Sequence, residues 1–138
     1  MQYELDCGNV RNLTDDEVRA ILRAADPLIA VGGRSMLAKI LKGSKDKKVL
    51  EHGLGQCPAY GYYWELTLQE IKSRIDWMIK RGYLEIEYDY QLPMIVFSEK
   101  GWEIERETYA DELLQKLKNI LAEKDYVFVQ ELKDKNRE

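Results

Sequence analysis

The chain has 138 residues, of which 45% are hydrophobic, 33% charged and 10% aromatic, and its formal net charge is −4. This composition excludes a disordered tail, and no apolar run approaches the roughly 20 residues that span a bilayer. The N-terminus lacks the basic and then apolar layout of a signal peptide, and Cys7 and Cys57 make neither a disulfide framework nor a zinc site, so we expect a cytoplasmic protein.

Positive charge is concentrated in the middle of the chain. Residues 34–82 carry 10 basic and 5 acidic side chains, whereas residues 1–33 carry 3 and 6, and residues 83–138 carry 8 and 14. A basic segment between acidic ends indicates a local surface for a polyanion rather than a generally basic protein. The candidate phosphate-binding residues in this segment are Arg34, Lys39, Lys42, Gly43, Ser44, Lys45, Lys47 and Lys48.

Three helices are predicted in the first part of the chain. A capping box at Thr14 begins the first helix, and Asp26-Pro27 ends it, because the residue before a proline is pushed out of the α region. Ser35 is suited to cap a second helix, which runs to about Lys42. A short third helix is predicted over residues 46–52.

An amphipathic helix follows an aromatic loop. The loop, residues 57–64, is dense in apolar side chains and is expected to pack against the core. A second capping box at Thr67 begins the helix, which ends at Gly82. The polar face of this helix carries residue types that read base edges or contact phosphate in a major groove. The candidates on this face are Gln69, Lys72 and Ser73.

Two short β-rich runs, residues 83–88 and 94–97, predict a hairpin whose polar tip is residues 89–93. Tyr88 ends the first run and Tyr90 lies within the tip, and little is available there for either side chain to pack against. We therefore expect both aromatic side chains to be candidates for contact with nucleic acid.

The last predicted helix runs from about Lys100 to Glu123. Residues 126–132 fit either a strand or a continuation of this helix, and the sequence alone does not decide between them. The amphipathic segment from Tyr109 to Ala122 is suited to form a dimer helix.

The order helix, helix, hairpin is the layout of a winged helix. The predicted fold class is α+β and mainly α: a helix-turn-helix with a β-hairpin wing and additional N- and C-terminal helices. We expect a single domain over residues 1–138, with an N-terminal helical extension over 1–33, the winged helix over 34–103 and a C-terminal helical extension over 104–138.

Several short motifs lie in the middle of the chain: Lys42-Gly43-Ser44-Lys45, Lys48-Val49-Leu50, Gly53-Leu54, Tyr60-Gly61, Leu66-Thr67, Ile75-Asp76, Arg81-Gly82-Tyr83-Leu84 and Ser98-Glu99-Lys100-Gly101. Together these motifs resemble the RQC domain, the winged helix that follows the helicase core in RecQ helicases. The similarity covers about residues 34–103, and the whole chain is similar to small stand-alone bacterial RQC-like DNA-binding proteins.

The resemblance implies a domain that grips duplex DNA near a junction. It implies phosphate contacts for Lys42, Gly43 and Ser44, and a wing-tip aromatic, Tyr88 or Tyr90, that wedges against a terminal base pair. The chain departs from the family pattern in having no G-x-x-x-x-G-K-[ST] motif and no four-cysteine zinc module. The wing also carries Glu85, Glu87 and Asp89, which repel phosphate.

We therefore expect a DNA-binding protein that recognises mainly the phosphate backbone of duplex or junction DNA. The expected setting is repair, recombination or replication at the bacterial nucleoid, without a helicase motor and with a protein partner in repair. His52 is the only histidine and no catalytic constellation is present, so we expect no enzyme, no cofactor and no metal. The alternatives are a dimeric winged-helix transcription regulator, joined through the C-terminal helix, and a protein–protein adaptor that has lost DNA binding.

Overall fold

The computed structural model describes residues 5–29, 31–51, 53–90 and 92–137. Within them the chain is mainly helical, with one two-stranded antiparallel sheet, which confirms the predicted α+β class and is consistent with a winged helix. Residues Met1–Arg106 form one compact unit and Glu107–Glu138 a second one. The elements are α1 (Asp15–Ala25), α2 (Arg34–Lys42), α3 (Lys47–Glu51), α4 (Leu68–Lys80), β1 (Leu84–Asp89), β2 (Leu92–Phe97) and α5 (Glu99–Arg137), with 3₁₀ turns at Asp26–Leu28 and Leu54–Gln56.

Both predicted capping boxes are confirmed. The Thr14 hydroxyl accepts the Glu17 N–H at 3.2 Å, and the Glu17 carboxylate accepts the Thr14 N–H at the same distance. Thr67 and Glu70 repeat this arrangement at the start of α4. The hydrogen bonds from Thr67 hold the pKa of Glu70 below its ordinary value. Each cap satisfies backbone donors that a helix start otherwise leaves without partners, and contributes about 1 kcal/mol.

The start of α2 corrects the prediction that Ser35 is its cap. The helix begins at Arg34, and its N-cap is Gly33, which has an extended backbone. A Cβ atom on Gly33 would lie 2.9 Å from the carbonyl oxygen of Pro93, and the neighbouring Gly32 carbonyl accepts the Ile95 N–H at 2.9 Å. The position of the cap is therefore set by the close approach of β2.

The hairpin tip is shorter than the predicted residues 89–93. Asp89 pairs with Leu92, and Tyr88 with Pro93, so that only two residues connect the strands. The short tip results from strand pairing that continues past the predicted strand ends.

His52, the only histidine, lies outside the described residues.

The undecided segment over residues 126–132 belongs to α5, which extends from Glu99 to Arg137. The prediction of a final helix is confirmed, and its end lies beyond the predicted Glu123. Neither α5 nor any other helix in the described part of the chain is long and apolar enough to cross a membrane.

The core of the first unit is formed where α1, α2 and α4 pack together and β1 packs against α4. Apolar side chains at helical spacing supply it, as the sequence pattern predicts. The largest side chains that are fully buried in this core are Ile21, Leu22, Leu37, Ile40, Leu41, Ile71, Ile75, Met78, Leu84 and Ile95.

The base of the wing is tied to the start of α5 through the Tyr83 backbone. The Ser98 hydroxyl donates to the Tyr83 carbonyl and accepts the Gly101 N–H, both at 2.9 Å. A Cβ atom on Gly101 would overlap the same carbonyl oxygen. A glycine is therefore required at residue 101, because a backbone atom cannot move aside as the end of a flexible side chain can.

We predict that Gly101→Ala lowers the free energy of unfolding by about 1–3 kcal/mol, because the added methyl group forces α5 and the wing apart. Urea denaturation measures this loss. Glu103→Ala, an exposed change two residues along the same helix, is the matched control and should change stability by less than about 0.5 kcal/mol. An equal free energy of unfolding for Gly101→Ala and Glu103→Ala would contradict the close contact between residue 101 and the Tyr83 carbonyl.

Candidate nucleic-acid interface

A tight turn joins α2 to α3 at Gly43 and Ser44. Gly43 has a left-handed backbone, with φ of 80°. The N–H groups of Gly43 and Ser44 both donate to the Lys39 carbonyl, at 3.1 and 2.9 Å. This pattern closes the C-terminal end of α2 and turns the chain sharply towards α3.

Ser44 is held by hydrogen bonds from two sides. The Tyr60 hydroxyl donates to the Ser44 carbonyl at 2.7 Å, and the Ser44 side-chain oxygen accepts the Asp46 N–H at 3.1 Å. Among the hydrogen bonds of the described residues, this oxygen serves as an acceptor, so the hydroxyl proton can be donated to a phosphate oxygen. We call residues 43–48 the Ser44 turn.

The aromatic loop fixes the end of α2. The Gly61 N–H donates to the Ile40 carbonyl at 2.9 Å, and the Tyr63 N–H donates to the Leu41 carbonyl at 2.8 Å. A Cβ atom on Gly43 would lie 3.1 Å from the Gly61 Cα, so the two backbones are in close contact. The loop therefore satisfies carbonyls that the helix end would otherwise leave without partners.

The prediction that the aromatic loop packs against the core is right for part of the loop. Tyr63 is buried, and its hydroxyl donates to Glu17 at 2.6 Å. Burial and this hydrogen bond raise the pKa of Tyr63 above its ordinary value. The prediction is wrong for Tyr62 and Trp64, whose side chains are 44% and 67% exposed.

Two of the candidate lysines bond to the protein itself. The Lys39 ammonium lies 2.8 Å from an Asp46 carboxylate oxygen. The Lys42 ammonium donates to the carbonyls of Trp64 and Leu66, at 2.9 and 2.6 Å. Lys39 thus ties α2 to the Ser44 turn, and Lys42 ties the end of α2 to the backbone at the end of the aromatic loop and just after it.

The remaining lysines of the turn, Lys45, Lys47 and Lys48, are exposed. Lys47 lies 3.6 Å from Glu51 one helical turn away, with its side chain 87% exposed, so this ion pair is weak. These three lysines follow Ser44 within four residues, and their exposed side chains are available to an anion.

The start of α3 does not offer all of its N–H groups to an anion. Asp46 precedes the helix, and one of its carboxylate oxygens accepts the Lys48 N–H at 2.9 Å. The hydrogen bonds from the Lys39 ammonium and from this N–H hold the pKa of Asp46 below its ordinary value. Asp46 is thus charged at neutral pH, and its hydrogen bonds hold the turn in one conformation.

The polar face of α4 is partly covered by residues 5–13, which we call the N-terminal strap. The Asp6 N–H donates to Asp76 at 2.9 Å, and the Trp77 indole N–H donates to the Arg11 carbonyl at 3.0 Å. Arg34 lies 2.8 Å from the other Asp76 oxygen. Arg34 therefore pairs with the residue to which the strap is bound.

The candidates on α4 differ in their accessibility. Ser73 is 7% exposed, and its hydroxyl donates to the Gln69 carbonyl at 3.0 Å. A Cβ atom on Gly8 of the strap would lie 3.1 Å from the Ser73 hydroxyl oxygen. Gln69 is exposed and Lys72 is half-buried, so these two side chains can contact a ligand in this conformation whereas Ser73 cannot.

The wing presents an aromatic tip above an acidic strand. Tyr90 is 97% exposed and has a φ of 58°, a left-handed backbone that is uncommon for a residue with a Cβ atom. Tyr88 is 36% exposed and pairs across the hairpin with Pro93. The exposed carboxylates of Glu85, Glu87 and Asp89 alternate along β1 and share one face.

The sequence did not predict the positioning role of three residues. Asp46, Tyr60 and Gly61 make the contacts that hold the Ser44 turn. The position of Asp46 just before a short helix is a recognisable cap signal, whereas the roles of Tyr60 and Gly61 depend on contacts between distant segments. No group of His, Cys, Asp or Glu in the described part of the chain is arranged to hold a metal ion.

The chain is similar to a known protein family and to a curated helicase. The family model described as the RQC domain matches residues 10–131 of this chain, beyond both ends of the predicted winged helix. The ATP-dependent DNA helicase RecQ of Bacillus subtilis (strain 168) is 30% identical over 103 residues, which cover 69% of this chain and 17% of that protein. The chain thus spans about a sixth of the length of this relative.

We predict that Asp46→Asn lowers the free energy of unfolding at neutral pH. The difference in this free energy between the variant and the wild type should become smaller as the pH falls below about 4. A carboxylate whose folded-state pKa is depressed stabilises the fold above its unfolded pKa, and this stabilisation is lost as the pH falls through the folded pKa. Urea denaturation across pH 3–7 checks this. Asp111→Asn, an exposed change on α5, is the control, and an identical pH dependence of the two variants would contradict the role of Asp46.

Proposed function

Because the chain belongs to the RQC domain family, we propose that it binds DNA mainly through backbone phosphates, with the Ser44 turn as the principal contact. The observation that carries this proposal is a serine held by hydrogen bonds from Tyr60 and Asp46, followed by exposed lysines. A preordered donor loses little conformational entropy when a phosphate binds. Such contacts give affinity without sequence choice.

The proposal assigns direct and supporting roles to different residues. Direct phosphate or base contact is proposed for Ser44, Lys45, Lys47, Lys48, Gln69 and Lys72, whose polar groups reach solvent. Support of the interface is proposed for the residues that are bonded within the protein or shape its backbone. These are Arg34, Lys39, Lys42, Gly43 and Ser73.

We propose that the wing contacts DNA through its tip. The carboxylates of β1 repel the phosphates of a groove, whereas the exposed Tyr90 ring can stack on a terminal or unpaired base. A tyrosine in a left-handed conformation costs free energy, and such strain is concentrated at functional sites. Tyr88 is proposed to support the ring from β1. The tip contact would favour forked or junction DNA.

The proposed setting is DNA repair, recombination or replication at the bacterial nucleoid, with a protein partner. The 138 residues contain no G-x-x-x-x-G-K-[ST] motif, so in this proposal a motor lies outside them. A dimeric regulator is the second candidate, and the exposed apolar side chains of α5 favour it. An adaptor without DNA binding is the third, and the acidic face of β1 favours it.

We predict that changing Lys45 and Lys48 together to Gln weakens binding to every duplex and reduces the slope of log affinity against log salt by roughly 2. Fluorescence anisotropy with labelled duplex at 50–200 mM salt measures both effects. The slope becomes smaller because, for each phosphate contact that is lost, about one counterion fewer is released from the DNA on binding. The double change at Lys118 and Lys133, which are exposed on α5, removes the same charge elsewhere.

The control variant should retain the wild-type slope. Equal weakening by both double variants would show that net charge, and not the Ser44 turn, governs affinity. The absence of binding by the wild-type chain to any DNA at 50 mM salt would reject DNA binding itself and favour the adaptor.

We predict that Tyr90→Gly raises stability by about 1 kcal/mol, because glycine adopts the left-handed conformation without steric cost. The same change should reduce the preference for forked over matched duplex DNA, on the order of tenfold for one lost stacking contact. Tyr90→Phe keeps the ring and should keep the preference. A fork preference that is unchanged in Tyr90→Gly would exclude the tip contact.

A further inference from the structure

The second unit of the chain exposes an apolar stripe on α5. Its side chains are 47–52% exposed, although leucine, isoleucine and valine are usually buried. From Leu113 to Leu121 the stripe follows one side of the helix at steps of three and four residues, and Val127 lies seven residues after Ile120 on the same side. Its members are Leu113, Leu114, Leu117, Ile120, Leu121 and Val127.

The spacing of the stripe is that of a two-stranded coiled coil. Leu113, Ile120 and Val127 are separated by seven residues, and Leu117 lies four residues after the first of them. In a seven-residue repeat these occupy the two positions that face a partner helix, and Lys124 occupies the next such position. From Leu113 to Val127 this seam is about 21 Å long. Another face of the helix is polar, with a Gln115–Asn119 hydrogen bond at 3.0 Å.

We propose that the partner on this seam is a second copy of this chain, paired antiparallel about a two-fold axis between Lys118 and Asn119. In this register Leu117 packs against Ile120 of the second copy, and Leu114 against Leu121 of the second copy. Each pair occurs twice, as a two-fold interface requires. The seam is therefore complementary to itself.

Charges beside the seam favour this register. Lys116 directly precedes the seam residue Leu117, and Glu123 directly precedes the seam residue Lys124. Antiparallel pairing places Lys116 beside Glu123 of the second copy, once on each side of the axis. Lys116 also lies 3.4 Å from Glu112 within its own helix, with its side chain still 66% exposed. It is accessible to a partner carboxylate.

Parallel pairing is disfavoured by the same residues. It would bring Lys124 against Lys124 of the second copy inside the seam, and like charges there destabilise the pair. Antiparallel pairing instead places Lys124 opposite Leu113 of the second copy. The aliphatic part of a lysine can cover a leucine while its ammonium group extends to water.

Sedimentation velocity of the full chain without DNA tests the dimer. We expect a concentration-dependent dimer that Ile120→Glu converts to monomer, with helix content retained by circular dichroism because the changed side chain is exposed in the single chain. Wild-type chain that remains monomeric at 100 µM would overturn the proposal. This result would leave DNA binding by the Ser44 turn unaffected, since that binding is measured separately.

Charge reversal tests the antiparallel register. Lys116→Glu and Glu123→Lys should each weaken the homodimer, on the order of tenfold, because each places two pairs of like charges together. A mixture of the two variants should form a heterodimer, in which both flanking pairs are again of opposite charge. Lys118→Glu makes the same charge change outside the seam and should leave the dissociation constant of the homodimer unchanged. A dimer that is insensitive to both reversals, or a mixture without heterodimer, would overturn the register.

Discussion

The close contact between the backbones of Gly43 and Gly61 is the constraint on which the proposed DNA-binding surface depends. Gly43 has a left-handed conformation and lies against the Gly61 Cα, so that a side chain at residue 43 meets both backbone strain and a tight contact. The contact lets the N–H groups of the aromatic loop donate to the last carbonyls of α2, and the Tyr60 hydroxyl donates to the Ser44 carbonyl. The orientation of the turn is thus set by packing and hydrogen bonds rather than by its charges.

The lysines of the turn show how position decides the role of one residue type. Lys39 and Lys42 bond to Asp46 and to loop carbonyls, and these contacts hold the turn in one conformation. Lys45 and Lys48 remain exposed, so their charge can neutralise phosphates. We therefore propose fewer direct phosphate contacts than the basic cluster in the sequence predicts, because Lys39 and Lys42 make contacts within the protein.

The features that were predictable from sequence are those that neighbouring residues determine. The capping boxes at Thr14 and Thr67 place the starts of α1 and α4, and the apolar periodicity identifies the core faces of the helices. The features that were missed depend on distant contacts. Gly33 replaces Ser35 as the cap of α2 because β2 passes close to it, and Ser73 is buried because the N-terminal strap crosses α4. No local pattern encodes either contact.

The most direct test of the account is the mapping of amide chemical shifts in the isotope-labelled chain during titration with a short duplex. We expect the largest changes from Gly43 to Lys48, with small changes at Asp6, Ser73 and Trp77, where the strap covers α4. Largest changes on α4 beneath the strap, with none in the Ser44 turn, would contradict the account, because the DNA would then displace the strap and bind the helix that it covers.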